Sequence, residues 1–199
     1  MAEQCGLMKP LTYWVVGEAL RQTQAWRREG LNLAMSANMS ARNLLDPSMA
    51  ELVSGLLASS GSPPDRLCLE ITESAIMGDL TRTLAHLARF NAMGIKLSVD
   101  DFGTGYSSLA YLKQLPVQEV KIDKTFVLGL MRDRNDAAIV RAALDVAHTL
   151  GLTVTAEGVE DQQTWHGLIA FGCDTAQGYF MSPPLPPDDL AVWVRKGAP

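Results

Sequence analysis

Lys96-Leu97-Ser98-Val99-Asp100-Asp101-Phe102-Gly103-Thr104-Gly105-Tyr106-Ser107-Ser108 is the stretch that decides the fold. A short apolar run ends in two adjacent carboxylates and then breaks into a loop rich in glycine and hydroxyls. Two neighbouring acids at the end of a buried strand repel each other, so at neutral pH one takes up a proton or the two share a cation. A divalent metal supplies such a cation. Gly103 and Gly105 allow backbone angles that a Cβ opposes, so the loop can turn back over whatever the acids hold. An isolated Asp-Asp-Phe-Gly is also an ordinary turn, and the rest of the chain separates the two readings.

Outward from this stretch, one beat repeats in both directions: helix, glycine stop, short apolar strand, polar residue at the strand's carboxyl end. Apolar spacing predicts a helix over Leu11 to Glu29, stopped by Gly30, then a strand over Leu31 to Ser36 that runs out at Ala37-Asn38-Met39-Ser40. Asp46 as cap and Pro47 at the first position announce a helix ending at Gly61. A strand over Arg66 to Thr72 follows, then Glu73-Ser74, a helix over Asp79 to Ala92 with Gly94 as stop, and the Asp-Asp strand itself. Beyond it come a strand over Val117 to Asp123, a helix over Asp136 to Leu150, and a strand over Leu152 to Glu157. A helix over Gln162 to Phe171, a strand over Asp174 to Tyr179 and a helix capped by Asp188 complete the chain.

Strict alternation of strand and helix means βαβ units and a parallel sheet, either open and doubly wound or closed into a barrel. No strand is followed by Gly-x-Gly-x-x-Gly opening a helix, so the dinucleotide fold lacks its phosphate turn. Nearly every strand also delivers a polar residue at its carboxyl end, where a (β/α) barrel collects its catalytic groups. The expected fold is therefore α/β, a TIM-like (β/α) barrel. The strand-end residues are Asn38, Glu70, Asp100, Asp101, Lys121, Glu157 and Gln177. An amide oxygen and several carboxylates make a hard-oxygen set suited to magnesium or manganese rather than zinc. A lysine and a glutamate among them suit the orientation and deprotonation of a water.

Bulk properties narrow the class. With 199 residues, 47% of them hydrophobic and 20% charged, the chain can bury one sizeable core and reads as a single domain over 1–199. A net charge of −5 without a lysine or arginine run argues against a nucleic acid polymer as partner. No apolar stretch approaches the ~20 residues of a membrane span, and no signal-peptide pattern opens the chain, which makes the cytoplasm the expected location. Cys5, Cys68 and Cys173 lack a Cys-x-x-Cys spacing and read as reduced thiols.

Five ordered motifs carry a family resemblance: Glu70-Ile71-Thr72-Glu73-Ser74, Asp100-Asp101-Phe102-Gly103-Thr104-Gly105-Tyr106-Ser107-Ser108-Leu109, Val120-Lys121-Ile122-Asp123, Ala156-Glu157-Gly158-Val159-Glu160 and Gln177-Gly178-Tyr179. Together they resemble the EAL domain, the bacterial cyclic di-GMP phosphodiesterase family, from Ala2 to about Trp193. The resemblance implies a TIM-like barrel, two Mg²⁺ or Mn²⁺ ions, and hydrolysis of cyclic di-GMP to linear pGpG. By position it makes Asn38, Glu70, Asp100 and Asp101 metal ligands, Lys121 the residue that positions the attacking water, and Glu157 the general base or a water-mediated metal contact. Glu73 resembles the acid that braces the loop after Asp101, with Gly103, Ser107 and Glu160 as further loop and supporting residues. Gln177 and Asp123 resemble substrate contacts. A homodimer, or upstream domains of a longer protein, would be the partners besides cyclic di-GMP.

The sequence also departs from that family. Glu18-Ala19-Leu20-Arg21 matches the family's signature, whose glutamate is a metal ligand, but it sits inside the first helix and reads as a coincidence of good helix formers. Counting from Leu31 gives six strands where a closed barrel has eight, so the expectation is an N-terminally incomplete barrel with two exposed sheet edges. Smaller departures are Pro183 and Met39. The sequence reading is a cyclic di-GMP phosphodiesterase domain whose hydrolysis is weak or absent, with a non-catalytic cyclic di-GMP receptor or a dimerisation module as the alternative.

Overall fold

The computed structural model describes residues 6–105 and 109–197. Six strands follow one another in chain order through one sheet, and each pairing whose register is resolved is parallel. The fold divides into two compact units that share the third strand: the first runs to Ser98 and takes in Gln114–Val117, and the second holds Val99–Lys113 and the chain from Gln118 onward.

The first unit contains α1 (Met8–Arg28), β1 (Met35–Asn38), α2 (Ala41–Leu44), α3 (Met49–Ser60), β2 (Leu67–Thr72), α4 (Glu73–Met77), α5 (Leu80–Ala92) and the start of β3 (Lys96–Phe102). Helix α1 buries Thr12, Val16, Ala19, Leu20, Thr23 and Trp26, a stripe at the three-and-four spacing of one helix face. Arg27 and Arg28 sit in its last turn, where positive charge complements the helix dipole. Gly17 brings α1 close to Leu56 of α3. The Asn43 side chain ties α2 to α1 by donating to the Met8 carbonyl at 3.0 Å and to Thr12 Oγ1 at 2.7 Å. β2 is buried from Leu67 to Ile71, as a parallel strand covered on both faces should be. Phe90, Leu67, Leu69, Ile71 and Leu97 are fully buried among this unit's core residues.

The second unit contains the end of β3, then α6 (Leu109–Leu112), β4 (Glu119–Ile122), α7 (Lys124–Gly129), α8 (Arg134–Thr149), β5 (Thr153–Glu157), α9 (Gln162–Phe171), β6 (Thr175–Gln177) and α10 (Pro187–Lys196). β4 and β5 pair with Lys121 opposite Thr155 and Ile122 opposite Ala156; β5 and β6 pair with Glu157 opposite Gln177. Val120, Ile122, Val127, Val140, Leu144, Val154, Ala156 and Leu168 supply much of this unit's buried apolar surface.

The structure shifts several boundaries. β1 begins at Met35, not Leu31, because its parallel pairing with β2 starts there, with Met35 opposite Leu67. Asp46 and Pro47 do not open α3, which starts at Met49; Asp46 instead accepts from Ser48 N at 2.9 Å and pairs with Lys9 at 2.8 Å. Asp188 lies in the first turn of α10 behind Pro186 rather than capping it. The short helices α2, α4, α6 and α7 span only four to six residues, too few for an apolar period to show in the sequence.

Candidate functional site

In the first unit, β1 and β2 end level with each other, with Asn38 opposite Glu70 in parallel register. The Met39 N–H donates to the Glu70 carbonyl at 2.8 Å, carrying the pairing one residue past β1. Glu70 is buried and Asn38 is exposed. Immediately after β2, Glu73 opens α4 and is 2% exposed, and Thr72 caps that helix by accepting from Ala75 N.

In the second unit, β3 carries Asp100 and Asp101 just before its last residue, Phe102. Asp101 has φ +55°, the one positive φ outside glycine among the described residues. Asp is one of the few L-residues that tolerate this region, and the conformation is held because Thr104 donates to the Asp101 carbonyl from both Oγ1, at 2.8 Å, and its backbone N–H, at 3.3 Å. Gly103 follows at φ +98°, with the Phe126 ring 3.0 Å from where a Cβ would stand. The sequence assigned this loop to glycine freedom, and the geometry adds a close aromatic neighbour.

β4 brings Lys121 to the same place. Its side chain is 5% exposed, and its ammonium lies 2.5 Å from Glu157 Oε1 at the end of β5 and 3.8 Å from Asp100 Oδ1. Asp100 Oδ1 is buried and makes no hydrogen bond among the described residues. Asp123, one residue beyond β4, is buried and uses Oδ1 to cap α7, accepting from Thr125 N at 2.9 Å and from Thr125 Oγ1. The Asp101 carboxyl is held above the usual carboxylate range, first by burial and then by the negative charges of Asp100 and Asp123, against the opposing pull of Lys121. A half-buried acid with one buried, unbonded oxygen, beside a second acid that resists ionisation, fits a hard divalent cation, which would relieve both costs. Among the described residues no group of three or more His, Cys, Asp and Glu side chains stands ready-made as a metal cage.

The structure thus brings Asp100, Asp101, Lys121, Asp123 and Glu157 together in the second unit, and sets Asn38 beside Glu70 in the first. Gln177 lies opposite Glu157 in register and is exposed, as is Glu160. Gly178 has no room for a side chain: a Cβ would stand 2.1 Å from the Val159 carbonyl, where Val159 N donates to Gln177 O and Phe180 N to Val159 O. The glycine of Gln177-Gly178-Tyr179 therefore lets the loop after β5 close against β6. Ser107 lies outside the described residues. Glu18, in the signature-like Glu-Ala-Leu-Arg, sits on α1 with 45% of its side chain exposed, ion-paired to Arg21 at 2.5 Å.

Sequence reading missed one polar pair. Thr155, 4% exposed, donates its hydroxyl to Glu119. The available signal was alternation: polar residues at 119, 121 and 123 and at 153, 155 and 157 share a face, while Val120, Ile122, Val154 and Ala156 occupy the other.

Comparison with known proteins adds the following. A family model described as EAL domain matches residues 1–184. The bifunctional diguanylate cyclase/cyclic di-GMP phosphodiesterase MucR of Pseudomonas aeruginosa is 40% identical over 195 residues, 98% of this chain and 28% of that protein. A structure titled PaMucR phosphodiesterase, c-di-GMP complex, superposes with a TM-score of 0.92 at 40% identity, covering 95% of this chain and 77% of that one. The EAL domain of Mycobacterium smegmatis DcpA superposes with a TM-score of 0.90 at 36% identity, covering 96% of this chain and 86% of that one. The chain spans about a quarter to a third of the length of the curated relatives it matches. Among the described residues no helix is long and apolar enough to cross a membrane.

Proposed function

The chain belongs to the EAL domain family, and from that premise we propose that it binds cyclic di-GMP and directs the hydrolysis of one of its phosphodiester bonds to give pGpG. The observation that carries this reading is the Lys121 ammonium, almost wholly buried between Glu157 and an Asp100 oxygen that lacks a hydrogen bond. An ammonium enclosed by carboxylates at strand carboxyl ends is equipped to hold a water oxygen in a fixed place, and Glu157, 2.5 Å away, to accept that water's proton.

Asn38 and Glu70 of the first unit and Asp100 and Asp101 of the second are the proposed metal ligands, with Mg²⁺ or Mn²⁺ as the ions. When bound, such ions supply Lewis-acid neutralisation of charge on the phosphoryl group and lower the pKa of a bound water. Asp101, reluctant to ionise alone, is the residue whose charge state the cation would settle. Glu73, Gly103, Ser107 and Glu160 are proposed to support the loop after β3, and Gln177 to contact substrate. Asp123 is proposed as a further substrate contact. Glu18, paired with Arg21 on α1, supplies neither a ligand nor a phosphate contact, so turnover by these 199 residues is proposed to be slow.

The test is incubation with cyclic di-GMP and Mn²⁺, following pGpG by chromatography. Metal-dependent pGpG that disappears in Lys121→Ala supports the reading. Binding in Ca²⁺ with no pGpG at any metal concentration replaces it with a cyclic di-GMP receptor, and absence of both binding and turnover ends it.

A further inference from the structure

We infer that Glu119 and Thr155 form a positioning pair for the Lys121–Glu157 contact, tying β4 to β5 beneath it. This rests on the proposed role of Lys121 and Glu157.

The argument begins from the strand period. Side chains two apart on a strand share a face, so Glu119 and Lys121 face the same way on β4, and Thr155 and Glu157 the same way on β5. The register sets Lys121 opposite Thr155. Thr155 therefore stands next to three polar neighbours: Glu119 along a diagonal, Lys121 directly across, and Glu157 one pleat further on. Its hydroxyl is given to Glu119, and it is 4% exposed, so no solvent stands in for that bond. A buried hydroxyl with its acceptor removed would turn toward the nearest alternative, and the neighbours on that face are the ammonium and carboxylate of the proposed reaction.

A second bond acts in the same sense. Thr153 donates to the Gln118 carbonyl from its backbone N–H at 3.0 Å and from Oγ1 at 3.2 Å. Two threonines on β5 thus grip β4 at Gln118 and Glu119, both on the side of the pairing away from Lys121. A slip of one residue would carry Lys121 to the opposite face, where Ile122 and Val120 are now fully buried. The apolar residues of these short strands cannot fix the register alone: each strand offers only two on that face, and Val120 and Ile122 would also meet apolar partners after a slip of two. A slip of two would put Thr153 in Thr155's place, so the Glu119–Thr155 bond does not choose the register; it ties the two strands together on the face that carries Lys121 and Glu157.

The experiment compares Thr155→Val, which keeps shape and loses the hydroxyl, with Thr155→Ser, which keeps the hydroxyl, and Glu119→Gln, which keeps an acceptor oxygen. Each is measured for kcat and KM on cyclic di-GMP with Mn²⁺, and for cyclic di-GMP affinity in Ca²⁺. The ¹⁵N signal of the Lys121 ammonium is recorded in the ligand-free protein. A positioning pair predicts that Thr155→Val lowers kcat about tenfold with KM and affinity within twofold of the parent, and shifts or broadens the Lys121 signal, while Thr155→Ser and Glu119→Gln stay near the parent on all counts. An unchanged Lys121 signal in Thr155→Val overturns the proposal, as does equal loss in Thr155→Ser. Should the parent itself turn nothing over, the proposed function fails on that result alone, and the ammonium signal still decides the positioning role.

Discussion

At Asp101 one residue carries both a charge and a backbone shape, and the two can be separated by substitution. Left-handed backbone costs an L-residue about 1–2 kcal/mol, less for Asn and Asp, whose side chains bond locally, and most for β-branched residues. Asp101→Asn is expected to keep parental stability in urea denaturation, while Asp101→Val loses about 2 kcal/mol; both are expected to lose turnover with the carboxylate charge of the proposed ligand. Equal stability for the two would mean the positive φ imposes no constraint. Lys121→Met poses a different question, because it takes the ammonium away from Glu157 and from a buried Asp100 oxygen. Removing one member of a buried pair is strongly destabilising, about 3–5 kcal/mol when burial is complete. Glu157 keeps 20% exposure, so about 2 kcal/mol is expected in the same assay, with turnover down about a hundredfold or more. These residues were legible in the sequence because a charged group at the end of an apolar strand stands out. Glu119 and Thr155 were not: their bond joins residues 36 apart, and a threonine inside a strand reads simply as a good strand former.

At the scale of elements, acids mark where helices begin. Asp79, Asp133 and Asp161 each accept from a backbone N–H two or three residues on, which fixes the starts of α5, α8 and α9. Removing the cap in Asp133→Ala is expected to cost about 1 kcal/mol, read as a lower urea midpoint at unchanged slope. The sequence reading placed α5, α8 and α9 to within two residues from apolar spacing and glycine stops, without using these caps; the caps it did name, Asp46 and Asp188, are not the N-caps of α3 and α10. At Asp46 the partner Lys9, distant in sequence, outcompetes a capping role. Asp46 also gives a pH signature: bonds from Lys9, then from Ser48, draw its pKa from 3.8 down to about 2. The folded value lies below the unfolded one, so the stabilisation is complete above about pH 4 and is lost as pH falls through about 2. Lys9 is 42% exposed, so solvent screens the pair and the effect stays under about 1 kcal/mol. The gap in urea midpoint between parent and Asp46→Asn should be larger at pH 5 than at pH 2.5, and should shrink in molar salt. A larger penalty belongs to Gly178→Ala, whose methyl group would meet the Val159 carbonyl at 2.1 Å. Backbone cannot yield as a side chain does, and a loss of about 3 kcal/mol or more is expected, with amide exchange at Val159 and Phe180 rising first.

For the molecule as a whole, alternation of strand and helix gave the α/β class, and the family comparison agrees with it. Strand order was legible because each βαβ unit places its second strand next to its first. The division into two compact units sharing β3 was not, since it depends on contacts between residues far apart in the chain. The functional expectation at this scale is metal linkage. Stripping divalent ions with EDTA should abolish pGpG formation, Mn²⁺ should restore it, and Ca²⁺ should support binding alone; turnover that survives EDTA would contradict the hard-oxygen reading of Asp100 and Asp101. The left-handed turn at Asp101 has an evolutionary consequence as well. Aspartate codons lie a single base from those of asparagine and glycine, the two replacements that this backbone accepts most readily. A lineage can therefore remove the proposed ligand carboxylate in one genetic step without unfolding the domain, which would turn a catalyst into a passive nucleotide sensor.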